Sequence, residues 1–171
     1  MQLSRWLAAS SAALFLAATV APQSAQAGAI VGFSGSYSAG TVVVKTGERS
    51  LYYVLGNGKA VRYSVGVGRA GKQWTGRTMI DGKHLRPAWS PPAEVKRDNP
   101  RLPNLIPGGS PRNPMGAAAL TLFGGQYAIH GTNNPGSIGG FVSYGCIRMY
   151  NADVLDLYNR VGFGTTVVVT R

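Results

Sequence analysis

Residues 130–149 read HGTNNPGSIGGFVSYGCIRM and hold Cys146, the only cysteine of the chain, and His130, one of its two histidines. Fifteen residues rich in Gly, Asn and Ser separate the two side chains. A thiol ionises near pH 8.5 and an imidazole near 6.5, so a paired histidine can take the thiol proton and leave a nucleophile poised for acyl transfer. Cys146 is the expected nucleophile and His130 the expected base. Attack on an amide carbonyl builds an oxyanion, for which backbone N–H groups in a Gly-flanked turn are natural donors. The amides of Gly145 and Cys146 are the candidates. No acid lies near His130 in sequence, so a backbone carbonyl, that of Gly131, is the expected orienter of the imidazole.

The flanks give this stretch its scaffold. Tyr127–Ile129 reads as a short strand delivering His130. After Cys146, Asn151 reads as an N-cap with Asp153 in the first turn, and Val154, Leu155, Tyr158 and Val161 recur at helical spacing up to Arg160 and Gly162. Upstream, β-branched and aromatic runs predict strands at 41–46, 50–55, 60–67 and 76–80, with Gly56-Asn57-Gly58 as a tight turn. Residues 165–170 predict a last strand. Residues 116–123 are apolar without a decisive period. Eight prolines fall between His84 and Pro114, a density that predicts neither helix nor strand and suits a lid or binding loop carrying Trp89, Arg97, Arg101 and Arg112. The expected fold is mostly β, a sandwich of mixed sheets with one main helix after Cys146.

Met1–Trp6 is a short basic start with Arg5, Leu7–Val20 is uncharged and apolar, and Ala25-Gln26-Ala27 has the A-x-A form. That order predicts a signal peptide over 1–27, cut between Ala27 and Gly28; the apolar run is short for a membrane span, an uncleaved anchor being the alternative. Residues 28–40, rich in Gly, Ser and Ala, are the expected flexible leader, and 41–171 the folded domain. Cleavage removes only Arg5 from the charged set, so 17 basic residues become 16 against 6 acidic ones and the net charge goes from +11 to +10. An exported chain of that charge suits anionic envelope polymers rather than nucleic acid, or simply solubility. A lone cysteine in an exported protein makes no internal disulfide; it is buried filler, an intermolecular link or a reactive thiol. One cysteine and two histidines are too few for a four-ligand zinc site, and no cofactor is expected.

His130-Gly131-Thr132 followed by Ser143-Tyr144-Gly145-Cys146-Ile147-Arg148-Met149 resembles the signature of the L,D-transpeptidases, the YkuD-type catalytic domain of bacterial cell-wall enzymes. The similarity extends over about 41–171, including Trp89, Pro91-Pro92, Asn113-Pro114-Met115 and the helix at Asn151. The resemblance implies a β-rich sandwich with the Cys-His pair in a groove under a mobile segment, and an exported or periplasmic enzyme. The cysteine would take the acyl group of a peptidoglycan tetrapeptide stem, release D-alanine and pass the acyl group to an amine. That amine belongs to a second stem, giving a 3→3 cross-link, to an envelope protein, or to a D-amino acid. Carbapenems would acylate the cysteine, no metal or organic cofactor is implied, and a monomer is expected. Arg148 matches the family arginine after Gly-Cys-Ile and is a candidate for holding a substrate carboxylate. Ser143, Tyr144 and Thr132 are further substrate-binding candidates, with bonding of the loop backbone the structural reading for Thr132 and Ser143. The family most often has Ser-His-Gly-Cys, and Tyr144 stands in place of that histidine, which leaves the His130 base assignment intact but removes a cationic neighbour from the thiolate. Two other readings share these residues: a wall-binding module with a weakened site, and a hydrolase in which water takes the acyl group.

Overall fold

The computed structural model describes residues 27–171; the expected signal peptide, up to residue 26, lies outside the described residues. The chain runs β1 (Ala29–Gly32), β2 (Val42–Lys45), β3 (Ser50–Gly56), β4 (Lys59–Gly68), β5 (Gly76–Leu85), α1 (Ala93–Asp98), β6 (Ala118–Leu122), β7 (Ala128–His130), β8 (Phe141–Ser143), β9 (Ile147–Met149), α2 (Asn151–Arg160) and β10 (Thr166–Thr170). The strands form one sheet in the order β1-β4-β3-β2-β10-β5-β6-β7-β9, and β9 also pairs with β4. The sheet therefore curls until its far strand meets β4, giving a barrel-like sandwich. The first half of β4 pairs with β1 and β3 and its second half with β8 and β9, so one ten-residue strand serves both sides.

Alternation along the strands fills the interior. Val42, Val44, Leu51, Val61, Tyr63, Val65, Val67, Ile80, Leu120, Leu122, Ile129, Ile147, Val167 and Val169 form one buried cluster, capped by Val154 and Leu157 of α2. Helix α2 packs on β6 and β7, directly behind the strand that ends in His130. The ambiguous apolar run at 116–123 becomes β6, between β5 and β7.

Three expectations need correction. The 28–40 segment is not a loose leader: Ala29–Gly32 pairs with Lys59–Arg62, and Phe33 is buried in a second cluster with Val43, Tyr52, Val54 and Ala60. Exposed β4 backbone offered it partners, which low sequence complexity does not reveal. The proline-rich segment contains α1, which occupies the proline-free gap from Ala93 with Pro92 at its N-cap, where a missing N–H costs nothing. Asn151 is not the cap of α2 but its first residue, Tyr150 being the cap. The Asn151 side chain is used elsewhere. Its oxygen accepts from the amides of Ala117 (3.0 Å) and Thr132 (3.1 Å), and its nitrogen donates to the Thr132 carbonyl (3.0 Å).

Candidate active site

Strands β7 and β9 pair in parallel, with Ile129 beside Ile147 and His130 beside Arg148. Ile129 and Ile147 point into the core and are at most 1% exposed. The period of two then sends His130, Arg148 and Cys146 to the opposite face. The fifteen intervening residues, β8 among them, are closed by two neighbouring strands, and this register brings His130 and Cys146 to one cavity. His130, Cys146, Arg148, Ser143 and Tyr144 line one cavity of about 80 Å³, walled on its other side by Trp89, Pro92, Val95, Pro114 and Met115. The proline-rich segment thus roofs the site.

His130 is 4% exposed, and its Nδ1 lies 2.7 Å from the Gly131 carbonyl oxygen. A carbonyl only accepts, so Nδ1 carries the hydrogen and Nε2 keeps its lone pair for a proton. Burial first, and the nearby Arg148 charge after it, pull the imidazole down to about pH 4, against the carbonyls of Gly131 and Pro114. Burial likewise pushes the Cys146 thiol up, opposed by the Ala128 amide and by Arg148. At neutral pH the resting pair is a thiol and a neutral imidazole.

The turn before Cys146 is held from several sides. Gly145 has φ +123°, and a Cβ there would come 2.3 Å from the Tyr127 ring. Tyr127 stacks on Trp74 at 4.8 Å between centroids and 7° between planes, and the Trp74 Nε1–H donates to the Gly145 carbonyl at 2.9 Å. Trp74 and Tyr127 lie 71 and 18 residues from Gly145, and sequence reasoning assigned them no role at the site. Ser143 is 2% exposed; its hydroxyl donates to the Cys146 carbonyl (2.6 Å) and accepts from the Gly145 amide (3.0 Å).

These bonds change several expected roles. The Gly145 amide is occupied by Ser143 Oγ and is not a free oxyanion donor. The Cys146 amide makes no hydrogen bond among the described residues and is the donor available to an oxyanion. Ser143 holds the turn and has no proton left for a substrate. Thr132 lies outside the cavity: its hydroxyl accepts from the Asn134 amide (3.0 Å), shaping the loop after His130. Tyr144 donates its phenol hydrogen to Asp98 at the end of α1, while Arg69 sits 4.0 Å over its ring and bonds Asp98 at 2.8 Å. The residue in the place of the usual histidine therefore ties the roof to the turn.

Arg148 is half buried beside the thiol, its Nε is buried without a hydrogen-bond partner, and no acid pairs with it among the described residues. Burial lowers its affinity for its proton, which the neighbouring thiol opposes. Among the described residues no group of three or more His, Cys, Asp or Glu is placed to hold a metal ion.

Comparison with known proteins gives the same domain. The family model of the L,D-transpeptidase catalytic domain, YkuD, matches residues 39–169. The Probable L,D-transpeptidase YbiS of Escherichia coli is 38% identical over 135 residues, covering 74% of this chain but 43% of YbiS. The chain thus spans less than half the length of that relative. A solved Brucella melitensis protein described as a probable carnitine operon oxidoreductase is 39% identical, with a TM-score of 0.56 and coverage of 87% of this chain and 96% of that one. L,D-transpeptidase 3 from Mycobacterium tuberculosis, solved in complex with a faropenem-derived adduct, shares the fold at a TM-score of 0.57 and 15% identity, covering 77% of this chain and 60% of that one. With its sheet, its cavity and its match from 39 to 169 in agreement, the chain belongs to the L,D-transpeptidase catalytic-domain family.

Proposed function

We propose that this protein is an exported peptidoglycan L,D-transpeptidase working in the periplasm or cell envelope, with Cys146 as nucleophile and His130 as general base. The observation that supports it is the β7–β9 register, by which His130, its Nδ1 engaged by the Gly131 carbonyl, and Cys146 line one cavity. Because the resting pair is neutral, proton transfer accompanies attack. His130 takes the thiol proton as sulfur adds to the stem carbonyl, and the Cys146 amide receives the oxyanion. The tetrahedral adduct then collapses, the C–N bond breaks, and the imidazolium returns the proton to the departing D-alanine amine. An acceptor amine attacks the thioester, giving its proton to His130, and sulfur leaves to regain that proton as a thiol. Water in place of the amine would give hydrolysis, and an envelope-protein amine would give attachment to the wall.

Arg148 is the group for the stem's carboxylate. It is a half-buried cation with no acid paired to it among the described residues, and a bidentate carboxylate would satisfy it. Arg148→Met should raise KM for a tetrapeptide stem at least about tenfold without lowering thermal stability, since an unpaired buried charge stabilises no fold. An unchanged KM would remove Arg148 from substrate binding. An oxidoreductase reading, suggested by the description of the Brucella protein, lacks support here: Gly66-Val67-Gly68-Arg69-Ala70-Gly71 has the G-x-G-x-x-G form but leads into β5 and not into a helix that could take a pyrophosphate.

The deciding experiment is acylation by a carbapenem followed by intact mass. One adduct on the wild type, none on Cys146→Ser and sharply slowed acylation in a folded His130→Ala are expected. An equal adduct on Cys146→Ser would sink the assignment. Products from tetrapeptide stems with and without an acceptor amine then separate transferase from hydrolase, tripeptide alone indicating hydrolysis.

A further inference from the structure

Asp153, in the first turn of α2, is a carboxylate the proposed mechanism does not use. It is 8% exposed. Burial pushes its proton affinity up, the Asp156 charge one turn on adds to this, and the backbone amide of Gly28 is the group that opposes them. Asp156 is itself engaged by Tyr63 (2.5 Å) and Arg160 (2.9 Å). Arg62 lines the same cleft, yet its Nε donates to Ser50 Oγ at 3.1 Å. Tyr63, Ser64 and Tyr150 complete the polar surroundings of a cleft of about 590 Å³ that Gly28 and Asp153 both line.

Gly28 is fixed in this cleft. Ala29, the next residue, is already in register with Arg62. At Gly28 φ is +63°, and a Cβ would come 2.5 Å from Val61 and 2.7 Å from the Tyr63 ring. Only glycine fits, and its backbone amide is the one that favours the ionised Asp153 carboxylate across the cleft. Gly28 is also the residue that follows the Ala25-Gln26-Ala27 cleavage motif.

We propose that processing at Ala27–Gly28 converts this contact into a half-buried ion pair, the new α-ammonium of Gly28 docking on Asp153. The inference rests on the export reading above. Water adds across the amide, its hydroxyl going to the Ala27 carbonyl carbon and its other hydrogen to the Gly28 nitrogen; the Ala27 acid then loses its proton and the amine takes it up. A neutral N–H donor facing a buried carboxylate becomes a cation with three donors. A buried carboxylate left without a cation is costly, and the mature terminus supplies one. The pair would clamp β1 to the start of α2, whose Asn151 side chain shapes the loop behind His130. Cleavage is thereby coupled to the firmness of the site's backing.

The test is a cycle of four chains: one beginning with a free Gly28, one retaining Ala27 ahead of it, and the Asp153→Asn form of each. Both core clusters lie within residues 33–169, so all four contain the folded body. At pH 7 the Gly28 chain should melt at least about 2 °C above the Ala27 chain, and Asp153→Asn should erase that gap. The gap should also close as pH rises through the amine's raised pKa. Equal melting, or a gap that survives Asp153→Asn, overturns the pairing. Should Asp153→Asn fail to fold, NMR titration of the Gly28 amine decides: a value above the ordinary 7.7–8.0 supports the pair and an ordinary one refutes it. The mass of the protein recovered from the envelope tests export separately. A start other than Gly28 overturns the cleavage position and the proposal with it, whereas a Gly28 start without a melting gap leaves export standing and removes only the ion pair.

Discussion

The β7–β9 face and the Trp89–Asp98 roof wall the same small cavity, yet they are held by different forces. The face is a ladder backed by core: Ile129 and Ile147 anchor the register, Ser143 ties the turn with two bonds, and Gly145 is gripped by Tyr127 and Trp74. The roof closes on itself through the Trp89–Ile106 bridge and through Asn113, whose buried amide donates to the carbonyls of Pro87, Ile106 and Pro107. It meets the rest of the molecule through ion pairs, Lys72 with Glu94 and Arg69 with Asp98, the latter with side chains 43% and 47% exposed. Packing and backbone bonds ignore salt, whereas exposed charges are screened and add little to stability. The proposed reacting groups are therefore set by the fold, and the roof above them by electrostatics that solution conditions can change.

The largest break in this contrast is Gly145→Ala. The substitution places a Cβ against Tyr127 at a backbone angle that L residues avoid, so strain and overpacking together should cost roughly 2–5 kcal/mol. Because the turn carries Cys146, carbapenem acylation should fall at least about a hundredfold, as when an oxyanion donor is lost. Urea unfolding and stopped-flow acylation measure the two effects. An Ala variant of normal rate would show that the grip on Gly145 does not position the thiol.

A smaller effect tests the burial of His130. Its folded pKa is depressed to about 4, from an ordinary 6.5, so the unfolded chain binds the proton first as pH falls. Its contribution is present above pH 6.5 and is lost as pH drops toward 4, by roughly 3 kcal/mol for a shift of this size. Urea unfolding from pH 7 down to 4 should show that loss in the wild type and a flatter profile in His130→Gln. The acid limb of the acylation rate should also lie well below 6.5. A limb at 6.5 would mean that the imidazole titrates in water and is not buried against the core.

The same contrast explains what the sequence disclosed. Strands built on β-branched runs, such as Val42–Lys45 and Thr166–Thr170, are legible because alternation is a local property. His130 and Cys146 stand out as candidates, since few residue types do the chemistry proposed for them. Strands β8 and β9 are not, at three residues each, because their pairing comes from β4 and β7 rather than from their own pattern. Ser143 and Thr132 stand open between substrate and backbone because a hydroxyl in a Gly-rich loop suits either, and only the three-dimensional turn decides. Tyr144 gave no hint of its partner, which lies 46 residues away across the roof.

That partner gives the smallest and most selective effect. Asp98 accepts from the Tyr144 hydroxyl and from Arg69, and these two contacts, the phenol first, hold its carboxyl below the usual range. Asp98→Asn keeps the shape, weakens both contacts and leaves the core untouched, so the melting temperature should stay within about 1 °C. The roof supplies Trp89, Pro92 and Val95 to the cavity wall, so loosening it should lower the second-order acylation rate about two- to fivefold. Half-molar salt, with a screening length of roughly 4 Å, should lower the wild-type rate by a similar factor and the variant's hardly at all. A salt effect that persists in Asp98→Asn would place the sensitive charge elsewhere, with Lys72 and Glu94 the next pair to neutralise. A variant with no change in rate would mean that the roof is held by Asn113 and the Trp89–Ile106 bridge alone, and the division between a packed face and an electrostatic roof would fall.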